Sequence, residues 1–164
     1  MSQFAITLSY FDNAIGPRSI LCVPWGDSKP TLVSQFFDFH ISDDFFTHIF
    51  GGVVSFNRLF TISNENSRGG INTFMLTTVI PFSVLQHNEI FLRYYNSFAQ
   101  LLDDWVNQFK NAFYPSHFGD IIMDGCLQFD EQKAKPLIAL MDEFLNELEY
   151  IMASFSQMNL DFPK

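Results

Sequence analysis

The residues able to move a proton, attack an acyl carbon or hold a metal are few in this chain and scattered along it. Four histidines, His40, His48, His87 and His117, fall in different segments, and only His40 and His48, with Asp43 and Asp44 between them, could be assembled into a metal site. Nothing there fixes a recognised ligand spacing, so surface or hydrogen-bonded histidines are the simpler reading. The sequence contains no Gly-x-x-x-x-Gly-Lys-Ser/Thr, Gly-x-Gly-x-x-Gly, Gly-x-Ser-x-Gly or His-Glu-x-x-His. The common phosphate-binding, dinucleotide-binding, acyl-transfer and zinc frameworks are therefore missing. Asp103 and Asp104 sit side by side on a helical segment and point in different directions, so they read as solvated face and not as a general acid–base pair. No catalytic residue, cofactor site or metal site is assigned, and binding, not catalysis, is expected.

Three side chains are better suited to recognition. Trp25, between Pro24 and Gly26, is an indole in a short loop, either a lid on the sheet or an exposed contact. Arg58 lies inside an apolar strand in phase with Phe56 and Phe60. Full burial would demand a carboxylate or carbonyl partner, so it is expected near a sheet edge or reaching the rim. Arg68, with Gly69 and Gly70 after a polar run, belongs to a hairpin loop or to a partner-recognition loop. The carboxylates Asp142, Glu143, Glu147 and Glu149, opposite an apolar helical stripe, read as an ordinary solvated face.

Composition narrows the classes further. The chain has 164 residues, with 18 carboxylates against 9 lysines and arginines, a net charge of −9. Such a balance repels phosphate backbones and anionic lipid, which excludes nucleic acid and polybasic membrane attachment as expected partners. The longest apolar stretch, residues 74–85, is too short to span a bilayer, so no direct membrane insertion is expected. Residues 1–3 lead into a strand without a basic n-region or a small-residue cleavage site, which points to a cytoplasmic location. Cys22 and Cys126 stand far apart in apolar surroundings, as buried thiols do. Phenylalanine is the outlier, with 21 copies. These rings either fill the layer between a sheet and its helices or leave an aromatic pocket there.

The elements that must position these residues are written in the hydrophobic period. Phe4, Ile6, Leu8 and Tyr10 alternate with Ala5, Thr7 and Ser9, as in a strand with one buried face. Ile20 to Val23 run without a polar break before Pro24, as in a strand covered on both faces. Leu32, Val33, Phe36 and Phe37 recur at helical spacing within residues 31–39. Residues 45–50 and 53–62 are predicted strands joined at Gly51-Gly52, and residues 71–80 are a further strand ended by Pro81. Phe91, Tyr94, Phe98, Leu101, Leu102, Trp105, Phe109 and Phe113 line one side of a helix that starts near Asn88 and stops before Pro115. After a connector at residues 116–129, the apolar positions from Leu137 to Phe155 repeat that pattern, with Pro136 in the first turn or at a kink. The expected architecture is α+β: one domain over residues 1–164, in the order β-β-α-β-β-β-α-α. A five-stranded antiparallel sheet would carry one short helix on one face and two long ones on the other.

In that order, and in the opening Phe11-Asp12-x-x-x-Gly16-Pro17, the chain resembles longin-like domains of the longin/roadblock superfamily. There an Asp and a Gly-Pro pair punctuate the first two strands. The stretch from Ser55 to Ser63, followed by Ser67-Arg68-Gly69, resembles a pattern in small stand-alone microbial members. The motif makes physical sense as a turn: Asp12 or Asn13 accepts backbone hydrogen bonds, Gly16 takes a positive φ and Pro17 fixes the re-entry into the second strand. The resemblance implies a dimerising platform without an active site. Its expected partners are a small GTPase or another longin/roadblock domain, in small GTPase regulation or trafficking-type complexes. A small-ligand sensor with a Phe-rich pocket between sheet and helices is the alternative, and an enzyme assembled from dispersed histidines and carboxylates is the third reading.

Overall fold

A computed structural model of the protein describes residues 3–12, 16–24, 45–63, 65, 69–85, 88–112 and 131–158. Five strands come first, β1 (Ala5–Asp12), β2 (Gly16–Val23), β3 (Phe45–Phe50), β4 (Val53–Ser63) and β5 (Ile71–Pro81). A 3-10 turn at Phe82–Leu85 then leads to two long helices, α1 (Asn88–Ala112) and α2 (Glu131–Met158). Every neighbouring pair of strands is antiparallel, and the spatial order is β2-β1-β5-β4-β3. This is the α+β class expected from the sequence, with strands first and long helices after. The short helix predicted at residues 31–39 and the connector at residues 116–129 lie outside the described residues.

Alternation along the strands separates two faces. Ile6, Leu8, Tyr10, Leu21, Val23, Val54, Phe56, Phe60, Phe74, Leu76 and Ile80 all turn to the side where the helices pack, and all are buried. Against them α1 sets Phe98, Leu102, Trp105 and Phe109, and α2 sets Leu137, Met141, Phe144, Leu148 and Met152. Rings dominate this layer. Phe56 stacks on Phe98 with centroids 4.2 Å apart, and Trp105 stacks on Phe144 at 4.7 Å. The Trp105 indole N–H donates to Glu147 Oε2 at 2.6 Å, so Glu147 is not simply solvated face.

The opposite face mixes buried polar side chains, among them Thr7, Ser9, Ser55, Asn57 and Thr77, with the buried apolar pair Phe46 and Met75. The register lines up Cys22, Thr7, Thr77, Asn57 and Phe46 as one row across all five strands. Thr77 Oγ1 donates to Asn57 Oδ1 at 2.8 Å, and Asn57 Nδ2 donates to Ser55 Oγ at 2.9 Å and to the Phe46 carbonyl at 3.3 Å. A buried amide that finds partners for both ends stabilises its register, where an unpaired one would cost about 1–3 kcal/mol.

Two local expectations change. β2 is an edge strand, and among the described residues its cover is one-sided, with Leu21 and Val23 buried and Cys22 only half-buried. Its unbroken apolar run reflects a register shift: Leu8 pairs with Leu21 and Ser9 with Ser19, leaving Ile20 as an extra residue. Of the two places expected for Pro136, the first turn is set aside: α2 begins at Glu131 and continues through this residue, which has no N–H to donate. Among the described residues, no helix is long and apolar enough to cross a membrane.

Candidate interaction surface

β3 closes one edge of the sheet. Its neighbour β4 runs beside it in unbroken register from Phe45↔Arg58 to Phe50↔Val53. The strand reads Phe-Phe-Thr-His-Ile-Phe, without a charge or a proline. Its start is anchored: Phe45 packs edge-on to Tyr95 and in a stack with Phe56, while Phe46 is buried with Met75. Its end is not, and Ile49 and Phe50 are 62% and 56% exposed. Gly51 and Gly52 make the two-residue turn, at φ +57° and +82°, as the sequence predicts for a tight hairpin. The Phe82 N–H donates to the Gly52 carbonyl at 2.8 Å, which brings the exposed Phe82 to the same end of the sheet. An edge strand offers outward N–H and C=O groups as a template for another strand, and apolar exposed side chains add area to such a contact.

Arg58 stands where β3 stops. It projects from the helix-facing side of β4, and its Nε lies 2.6 Å from Asp103 Oδ1 of α1, with side-chain exposures of 25% and 35%. The predicted rim position is therefore observed, and the carboxylate partner is Asp103. Reading Asp103 as solvated face needs correction, although Asp104 does point elsewhere, accepting from Gln100 Nε2 at 3.0 Å. Beside this pair is a cleft of about 540 Å³ whose lining includes Arg58, Thr61, Thr73, Asp103, Asn107 and Lys110. A second cleft, of about 440 Å³, lies between the helices over Phe98, Leu101 and Ile151.

The remaining candidate residues are separated from these features. Gly16 has φ +89° and pairs with Asp12, and Pro17 pairs with Phe11. Trp25 and Arg68 lie outside the described residues. His48 sits in β3 with its ring edge-on to Phe46 at 5.5 Å. Among the described residues, no group of three His, Cys, Asp or Glu side chains could hold a metal ion. The exposed end of β3 and the cation Lys110 escaped the reading of the sequence, because only the sheet order and the helix placement bring them forward. No protein-family model matches this chain, and no curated protein matches it.

Proposed function

We propose that the chain is a non-catalytic, cytoplasmic protein-interaction module that self-associates and serves as a platform for small GTPase regulation or trafficking-type complexes. The observation that carries the self-association is β3, an edge strand with no charge, no proline and two large apolar side chains more than half exposed. Soluble domains normally blunt such edges, because an open one recruits further strands. Antiparallel pairing of two copies of β3 about a two-fold axis would satisfy the edge and cover Ile49 and Phe50. The GTPase or trafficking role rests on the resemblance of the opening hairpin and the strand order to longin-like domains.

The small-ligand sensor is the lesser reading, because the described layer between sheet and helices is taken up by ring-on-ring contacts, Phe56 on Phe98 and Trp105 on Phe144. Light scattering on a sizing column at micromolar concentration tests self-association, and crosslinking mass spectrometry of a native pull-down identifies the partner. A dimer whose crosslinks bracket residues 45–50 supports the proposal. A monomer that captures no protein counts against it.

A further inference from the structure

We propose that the cleft between the far half of β4 and α1 docks an extended, carboxylate-bearing segment of a partner protein. The backbone supplies the first reason. β3 ends at Phe45 opposite Arg58, while β4 continues through residues 59–63, paired with β5 on one side and with no other described strand on the other. A peptide laid there would continue the sheet, in the manner of strand addition.

Charge supplies the second reason. Asp103 holds Arg58 through Nε, which fixes the guanidinium plane, and the two terminal nitrogens have no partner among the described residues. Those nitrogens form an end-on fork matched to a carboxylate. Lys110, exposed in the last turn of α1, lines the same cleft and also has no ion-pair partner among the described residues. Thr61, Thr73 and Asn107 add uncharged donors and acceptors. Among the described residues, two cations facing one carboxylate leave this cleft locally positive on a chain of net charge −9. An acidic segment is attracted there and a basic one is not.

The inference rests on reading the chain as an interaction module, but not on pairing at β3. Fluorescence anisotropy with the full chain would use a labelled peptide of alternating threonine and aspartate. A threonine–lysine counterpart and inorganic phosphate serve as competitors. The aspartate peptide should bind with affinity that falls as salt rises, and Lys110→Glu should weaken it about tenfold without moving the thermal midpoint. Arg58→Lys, which keeps the charge and loses the fork, should weaken it as well. Ile49→Lys, aimed at the β3 edge, should leave peptide binding intact, so the two readings fail separately. Equal competition by the lysine peptide, phosphate binding as tight as the peptide, or an unchanged affinity in Lys110→Glu would overturn the proposal.

Discussion

The two edges of the sheet are built oppositely. β2 carries Pro17 and Arg18, and a register shift interrupts its pairing with β1, while α2 packs over β1 and β2 from the helix side. Proline, charge, a bulge and a covering helix are the devices by which proteins protect an edge. Among the described residues, β3 has none of them along its outer half: it is uncharged, its register is unbroken, and Ile49 and Phe50 stand in solvent. Both edges belong to one antiparallel sheet, and they differ in residue types and in the register shift and covering helix that β2 has. That contrast makes β3 the edge to test for a partner.

Substitutions can break or sharpen that contrast. The largest expected effect belongs to the layer both edges share: Phe56→Ala removes a buried ring stacked on Phe98 and should cost about 3–5 kcal/mol in denaturant unfolding, whatever the protein concentration. Next comes Ile49→Lys, which gives β3 the kind of charge that β2 already carries. It should weaken self-association about a hundredfold, because a contact would have to bury an unpaired ammonium. Since Ile49 is exposed, the unfolding free energy of the monomer should change by less than about 0.5 kcal/mol.

Gly52→Ala acts on the hairpin that holds the edge in register. With φ at +82° and no neighbouring atom within 4 Å of the added carbon, the cost is conformational, about 1–2 kcal/mol in thermal or denaturant unfolding. The smallest effect is expected on the other side of the sheet. Arg18→Val takes a charge out of the β2 sequence and leaves Pro17, the register shift and the covering helix in place, so the sedimenting mass should not rise. A new, larger species in that variant would show that one charge alone had guarded β2.

Much of the architecture was legible because it is local. Alternation in β1, the glycine pair at residues 51–52 and the apolar stripes around Trp105 and Phe144 mark their elements without reference to anything distant. Pairing across the sheet is not local: nothing in the sequence around β5 announces that it runs between β1 and β4. The partner of Arg58 was missed for the same reason. Asp103 looked like half of a solvated doublet, although Gln100, Asp103, Asn107 and Lys110 recur three and four residues apart and mark one polar flank of α1. The open character of β3 was half visible, since its lack of charge could be read directly but its place at the sheet edge could not.

Sedimentation of the wild-type chain and of Ile49→Lys, across a dilution series, tests self-association through β3 most directly. The wild type should sediment as a dimer that dissociates on dilution, and Ile49→Lys should remain monomeric over the same range with an unchanged circular dichroism spectrum. A wild-type monomer throughout, or a variant that dimerises as tightly as the wild type, would contradict the assignment of β3 as the interface.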